Sequence, residues 1–207
     1  MGCEDCTFGF IITGRGAKKC ACKTKVESLH RLQQAAIPTR YTNCTLENYI
    51  PQGPVTSAFF TSQSKALRTS TELNSLLLQG PPGTGKTHLA VGMLRKLIEN
   101  GATGYFCDLT DLLAQRSPDL EPVMKADAVV LDELGSSRLT AWTQDLLTRI
   151  INHRHAHNLT TIGTTNYLDA AEPFLIDRIG ERLRSRLHEL CPTVEIMGAD
   201  YRVNRAA

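Results

Sequence analysis

The segment Gly80-Pro81-Pro82-Gly83-Thr84-Gly85-Lys86-Thr87 follows the apolar run Leu76-Leu77-Leu78 and precedes an amphipathic stretch that reaches Glu99. Glycines at this spacing, followed by Lys and Thr between a predicted strand and a predicted helix, form the pattern of a P-loop. The glycines allow backbone N–H groups to approach phosphate oxygens, and the helix N-terminus adds positive potential there. We therefore expect the segment to bind a nucleoside triphosphate, with Lys86 on the β- and γ-phosphates and Thr87 on Mg²⁺. The expected nucleotide contacts are Gly80, Pro82, Gly83, Thr84, Gly85, Lys86, Thr87 and His88.

Outward from this loop, short apolar strands alternate with helices. Strands are predicted at 76–78, 105–107, 128–131, 160–164 and 193–196, and helices at 26–36, 58–67, 86–99, 109–115, 140–157 and 176–190. This alternation predicts an α/β fold in which a parallel five-stranded sheet lies between helices. We expect three regions: a cysteine-rich segment at 1–25, a helix and linker at 26–54, and the nucleotide-binding domain at 55–207.

Composition limits the possibilities further. The chain has 207 residues, and its 23 Lys and Arg against 21 Asp and Glu neither indicate nor exclude nucleic-acid binding, which needs basic residues clustered locally. No apolar run approaches the roughly 18 residues that cross a bilayer, and the acidic N-terminus is not a signal peptide. We expect a cytoplasmic protein without a membrane partner.

Two carboxylates follow the predicted strand at 128–131. Asp132, at the strand end, is expected to hold Mg²⁺ together with Thr87, and Glu133 to orient and polarise the attacking water. Alone, such a pair is also typical of a solvated strand end, but the upstream P-loop favours a hydrolytic site. Asn166, after the strand at 160–164, is expected to hydrogen-bond the water or the γ-phosphate, or else to cap a turn.

Three arginines occur within Gly180-Glu181-Arg182-Leu183-Arg184-Ser185-Arg186-Leu187. Arg182 and Arg186 are four residues apart and share a helix face, whereas the leucines share another. This spacing predicts either an arginine finger delivered to a neighbouring subunit or a solvated basic face. Arg202, after the last strand, is expected to reach the nucleotide in its own subunit or to be an ordinary surface arginine.

Four of the seven cysteines lie in the first 22 residues, as Cys3-x2-Cys6 and Cys20-x-Cys22. Two close pairs joined by a short loop suit a tetrahedral Zn²⁺ site, which would stabilise a segment too small for a core of its own. Unliganded thiols are the alternative. The histidines at 153, 155 and 157 are better explained as a solvated helix end than as metal ligands.

Taken together, these motifs resemble the AAA+ ATPases, and within them the DnaC/DnaI-type replicative helicase loaders and the related IstB transposition ATPases. The matching segments are 37–41, 45–49, 80–89, 129–135, 164–166, 180–187 and 200–202. The resemblance implies that Lys86 and Thr87 are Walker A residues, Asp132 and Glu133 Walker B residues, and Asn166 sensor 1. It also implies that Arg186 is the trans finger with Arg182 as its companion, and that Arg202 is sensor 2. Because about ten residues follow the last strand, we expect no C-terminal lid.

By the same resemblance, the expected function is ATP hydrolysis that controls assembly into a ring or spiral oligomer with a DnaB-type replicative helicase and single-stranded DNA. The expected cofactors are ATP, Mg²⁺ and Zn²⁺. Two alternatives remain open. One is an IstB-like transposition helper that acts on double-stranded DNA, and the other is a P-loop small-molecule kinase, which the Walker B carboxylate pair disfavours because the pair indicates water as acceptor.

Overall fold

The computed structural model describes Cys3, Cys6 and residues 9–13, 16–50, 75–138 and 140–204. The helix expected at 58–67 lies outside these residues. In chain order the elements are β1 (Phe10–Thr13), β2 (Gly16–Lys19), α1 (Ala21–Gln34), a 3₁₀ turn (Thr39–Tyr41), β3 (Leu76–Gln79), α2 (Lys86–Glu99), β4 (Gly104–Asp108), α3 (Leu109–Ala114), α4 (Glu121–Lys125), β5 (Ala128–Asp132), α5 (Ala141–Ala156), β6 (Thr160–Thr165), α6 (Leu175–Ile179), α7 (Glu181–Leu190), β7 (Thr193–Glu195) and α8 (Tyr201–Asn204).

The central sheet has the strand order β4-β5-β6-β3-β7, and all of its neighbouring strands run parallel. This confirms the predicted parallel five-stranded sheet. Strand β3 lies between β6 and β7, so the loop that follows it leaves the sheet beside the carboxyl end of β6. Polar residues that end neighbouring parallel strands therefore meet at one edge, which is where such sheets bind ligands.

Alternating side chains of the buried strands pack into two separate apolar cores, one on each face of the sheet. Leu76 and Leu78 point to the face covered by α1 and α2, whereas Leu77 points to the opposite face. Helices α3 to α7 cover that second face, where Leu183 and Leu187 of α7 are fully buried. Covering on both faces explains why these strands are continuous apolar runs rather than alternating ones.

Three elements differ from the prediction. The single helix expected at 176–190 is two helices, because Gly180 has a positive φ of 83° and breaks the hydrogen-bonding pattern between α6 and α7. Helix α4 was not predicted, since it is only five residues long and contains Pro122. Helix α1 begins at Ala21 rather than at 26, so it crosses the expected boundary at 25–26 and places Cys22 in its first turn.

The edge strand β4 is covered by the chain that leaves α1. The Phe106 N–H donates to the Ala35 carbonyl over 2.7 Å, which satisfies a backbone group that an open edge would leave exposed. Helix α1 is thus joined to the nucleotide-binding domain by a backbone hydrogen bond. After β7, the described residues contain the short helix α8. No helix in the described ranges has both the length and the apolar character needed to span a membrane.

Candidate nucleotide site

The phosphate loop lies between β3 and α2, as the motif predicts. Gly83 and Gly85 both have positive φ, at 78° and 86°, and Gly85 is the N-cap of α2. A Cβ atom at Gly83 would lie 1.9 Å from a carboxylate oxygen of Asp200, so no other residue fits there without a shift. The loop therefore presents backbone N–H groups and a helix N-terminus to one side, as phosphate binding requires.

Lys86 is held inside this loop. Its side chain is 6% exposed, and Nζ donates to the Gly80 and Pro81 carbonyls over 2.8 and 2.7 Å. Burial lowers the pKa of Lys86 to about 8, although the nearby Asp132 carboxylate acts in the opposite direction. An anion in the loop would favour the charged form of this amine.

The two residues predicted to bind Mg²⁺ are already in contact. Asp132, at the end of β5, is 4% exposed, and its Oδ1 accepts hydrogen bonds from Thr87 Oγ1 over 3.0 Å and from Thr164 Oγ1 over 2.5 Å. Burial raises the pKa of Asp132, and the hydrogen bonds from Thr164 and Thr87 act in the opposite direction. A hydroxyl and a carboxylate oxygen at the phosphate loop are hard donors of the type that Mg²⁺ prefers, so the residues fit the ion.

Glu133 and Asn166 lie across from the phosphate loop. Glu133 is exposed and has a positive φ of 61°, and its backbone N–H donates to Thr164 Oγ1 over 3.1 Å. Glu133 is thus exposed directly beside the buried Asp132. Asn166, directly after β6, is also exposed, and both residues line the cleft beside the loop.

The opposite wall of this cleft comes from residues 40–50, which the sequence did not assign to the site. We call this segment the strap. Tyr49 Oη donates to the Thr84 carbonyl over 3.0 Å, and His88 Nε2 lies 3.0 Å from the Thr45 carbonyl and 2.8 Å from Asn48 Oδ1. His88 thus joins the loop helix to the strap. The cleft has a volume of about 650 Å³, within the range of small-ligand sites. It is lined by Arg40, Tyr41, Asn43, Cys44, Asn48, Tyr49, Ile50, Pro82–His88, Glu133, Thr164–Asn166, Tyr201 and Arg202.

The segment after β7 returns to the phosphate loop. The Tyr201 N–H donates to the Gly83 carbonyl over 3.1 Å, and the Arg202 N–H donates to Asp200 Oδ1 over 2.8 Å. Arg202 is exposed and lines the nucleotide cleft, where its sensor role was predicted.

The three arginines of α7 differ in their surroundings. Arg182 and Arg186 are exposed, and Arg186 pairs with Glu189 over 2.7 Å. Neither is among the residues that line the cleft of their own chain. Arg184 is buried instead: Nε donates to Asp169 Oδ1 over 2.6 Å, and Nη2 contacts Asp169 Oδ2 and Thr193. Asp169 in turn accepts from Gln79, the last residue of β3.

The four N-terminal cysteines converge as predicted. The Sγ atoms of Cys3, Cys6, Cys20 and Cys22 all lie within 4.8 Å of one another, with 3.3 Å between Cys3 and Cys20 and between Cys6 and Cys22. A tetrahedral zinc with Zn–S bonds of about 2.3 Å needs S···S separations of about 3.8 Å, so these four residues could hold such an ion. Hairpin β1–β2 and the start of α1 bring the two pairs together.

The histidines near the end of α5 do not form such a cluster. His153 and His157 stack with 4.2 Å between ring centroids, and Nδ1 of His157 lies 2.8 Å from the His153 carbonyl. Within the described part of the chain, the cysteine group is the one set of three or more potential metal ligands that lies close together.

Comparison with known proteins places this geometry in context. The model of the family "IstB-like ATP binding protein" matches residues 58–207. An IS21 insertion-sequence protein from Pseudomonas aeruginosa is 29% identical over 140 residues, which cover 62% of this chain and 52% of that protein. The replicative helicase loader DnaC of Buchnera aphidicola (subsp. Baizongia pistaciae) is 25% identical over 178 residues, covering 78% and 72%.

A solved structure agrees with this result. The crystal structure of the DnaC helicase loader matches with a TM-score of 0.67 and 32% identity, over 77% of this chain and 99% of that one. The chain spans between about half and three quarters of the length of the curated relatives that it matches.

Proposed function

Because this chain belongs to the family of IstB-like ATP-binding proteins, we propose that it hydrolyses ATP to ADP and phosphate in the cleft between the phosphate loop and the strap. The observation that carries this proposal is the convergence of a phosphate loop, a buried carboxylate and an exposed carboxylate at one edge of the sheet. The residues concerned are Lys86, Thr87, Asp132 and Glu133.

Each side chain has a separate task in this reaction. The loop N–H groups and Lys86 bind the phosphates, and Thr87 and Asp132 supply oxygen ligands for Mg²⁺, which neutralises phosphate charge when bound. Glu133 orients and polarises the attacking water, because its side chain faces the cleft while Asp132 remains buried. Asn166 donates a hydrogen bond to the water or to the γ-phosphate.

The test separates binding from hydrolysis. Glu133→Gln should bind ATP with the affinity of the wild type but lose about a hundredfold or more in turnover, because the water is no longer polarised. Lys86→Ala should lose ATP binding itself. Glu99→Gln, on the exposed end of α2, is the matched control and should behave as the wild type. Turnover by Glu133→Gln at the wild-type rate would contradict the proposal.

We further propose that ATP controls assembly of this protein on a replicative DNA helicase and single-stranded DNA. The similarity to DnaC supports this role. A pull-down from the native host with a slowly hydrolysed ATP analogue should recover a replicative helicase only when the nucleotide is present. Recovery of a transposase instead would contradict the loader role.

The similarity to the IS21 protein supports a second candidate, a transposition helper that acts on double-stranded DNA. The two candidates differ in the DNA that they bind. With ATP present, a loader should prefer a single-stranded oligonucleotide, whereas the helper should prefer the duplex of the same sequence. Fluorescence anisotropy with both forms distinguishes them.

A further inference from the structure

Arg178 lies on α6, outside the residues that the sequence assigns to the site. Its Nε donates to the Gly135 carbonyl over 2.9 Å, and its Nη2 donates to the Ser136 carbonyl over 3.3 Å. The guanidinium carbon also lies 4.8 Å from the centroid of the Tyr167 ring, within cation–π distance. One half-buried side chain therefore contacts two separate segments of the chain.

Both segments adjoin residues that act on the attacking water in the proposed reaction, Glu133 and Asn166. Gly135 and Ser136 belong to the turn directly after Glu133, and that turn is closed by hydrogen bonds from Ser136 N and Oγ to the Glu133 carbonyl, over 3.1 and 2.6 Å. Tyr167 directly follows Asn166. The Glu133 turn and the Asn166 turn thus share Arg178 as a common partner.

The packing at this point leaves little freedom. A Cβ atom at Gly135 would lie 3.0 Å from Cβ of Arg178 and 3.2 Å from the Tyr167 ring. A second link joins the same two turns, since Thr165 Oγ1 donates to the Leu134 carbonyl over 2.7 Å. Arginine suits this position because its planar fork donates to two carbonyls while its flat face covers a ring, and a lysine ammonium cannot do both.

Arg178 also connects these turns to α7. It lies two residues before Gly180, the N-cap of α7, and the neighbouring Ile179 packs in the same buried core as Leu183 of α7. Arg182 and Arg186 are exposed on α7. A displacement of α7 would therefore be transmitted through α6 to the turn that follows Glu133.

We propose that Arg178 is a positioning residue for ATP hydrolysis, which holds Glu133 and Asn166 in place through the Gly135 and Ser136 carbonyls and the Tyr167 ring. This role rests on the proposed ATPase function. Arg178 acts on turnover rather than on nucleotide binding, because it contacts neither the phosphate loop nor the strap among the described residues.

The experiment compares Arg178→Gln with Arg149→Gln, an exposed arginine on α5 with the same change in charge. Arg178→Gln should lower kcat by about tenfold to a hundredfold, since small displacements of positioning groups have effects of this size. Its ATP affinity and melting temperature should stay close to those of Arg149→Gln. Arg178→Lys should recover only part of kcat.

A second pair of variants keeps the guanidinium. Tyr167→Leu removes the ring that Arg178 covers and should lower kcat by about threefold or more, whereas Tyr167→Phe should match the wild type. Wild-type kcat in Arg178→Gln, or a parallel loss of kcat, affinity and melting temperature in both Arg178→Gln and Tyr167→Leu, would overturn the positioning role. Absence of turnover in the wild-type protein would instead overturn the proposed ATPase function, and this inference with it.

Discussion

At the scale of single residues, neighbours in the sequence have different roles in the structure. Arg184 stands between two exposed arginines, yet it is 9% exposed and its guanidinium binds Asp169 and Thr193. Spacing along a helix indicates which residues share a face, but it does not indicate which face meets a carboxylate from a distant loop. The Asp169 partner is 15 positions away and could not be paired with Arg184 from the sequence.

Asp169 provides a pH-dependent contribution to stability. The hydrogen bond from Arg184 lowers the pKa of Asp169, so its ionised form is favoured in the folded state. The contribution is fully present above the ordinary carboxyl pKa of about 4 and is lost as the pH falls through the lower folded value. Asp169→Asn should reduce the free energy of unfolding by about 1 kcal/mol at pH 7, because the pair is partly exposed.

Urea unfolding at several pH values tests this prediction. The difference between the wild type and Asp169→Asn should shrink as the pH falls below 4. A difference that stays constant from pH 7 to pH 3 would show that the ionisation of Asp169 is not involved.

Arg154 is a fully buried arginine on α5. Its guanidinium donates to Thr161 Oγ1 over 2.9 Å and to the carbonyls of Val123, Ala126 and Thr160 over 2.7 to 3.0 Å, and no carboxylate within the described ranges lies at salt-bridge distance. Arg154→Ala leaves these acceptors buried without a donor and should cost about 3 kcal/mol or more of unfolding free energy. Arg149→Ala, exposed on the same helix, should change stability by less than about 0.5 kcal/mol. Equal denaturation midpoints for the two variants would contradict this assignment.

At the scale of elements, the buried strands and helices α2 and α5 were predicted most accurately. Strand β3 and helix α2 begin and end within one residue of the expected positions, because a buried apolar run bounded by glycine has few alternative structures. The break at Gly180 was missed, since the apolar spacing on both sides of it fits one continuous helix. The strap was missed for another reason: its role depends on tertiary contacts such as Tyr49 to Thr84, which no local pattern encodes.

A further prediction concerns helix α7, where Arg186 is the proposed trans finger. Arg186 is exposed, and within the described part of the chain it pairs with Glu189, three positions away; we propose that it reaches the γ-phosphate bound by a neighbouring subunit. Arg186→Ala should lower turnover by about a thousandfold at assembling concentrations, and Arg116→Ala, another exposed arginine, should not. Mixing Arg186→Ala with Lys86→Ala should recover part of the turnover, because one variant supplies the finger and the other the phosphate loop. Wild-type turnover by Arg186→Ala would contradict the finger role.

At the scale of the whole molecule, helix α1 lies between two parts of the chain that differ in what they are built around: apolar cores in one and the cysteine cluster in the other. The nucleotide-binding domain has two apolar cores, whereas hairpin β1–β2 has few buried side chains and lies beside the cysteine cluster. We propose that this cluster binds zinc, because a segment of this size gains its fold from the metal. Elemental analysis should give about one zinc per chain.

Removal of a single ligand tests the cluster. Cys6→Ser should lose most of the zinc and expose the segment before α1 to proteases, whereas Cys44→Ser, a thiol outside the cluster, should retain the metal. ATP binding by Cys6→Ser should persist, because the phosphate loop packs on the sheet and the strap. A gently purified protein with less than about a tenth of a zinc per chain would exclude the metal site.

The close approach of the Asp200 side chain to Gly83 in the phosphate loop has a consequence for sequence evolution in this family. The carboxylate of Asp200 occupies the space where a side chain at Gly83 would have to lie, although the two residues come from opposite ends of the nucleotide-binding domain. A residue with a side chain at position 83 would displace the Asp200 carboxylate and would also have to adopt a positive φ of 78°. In lineages where position 83 gains a side chain, a small residue at position 200 is therefore favoured, and the two positions should vary together.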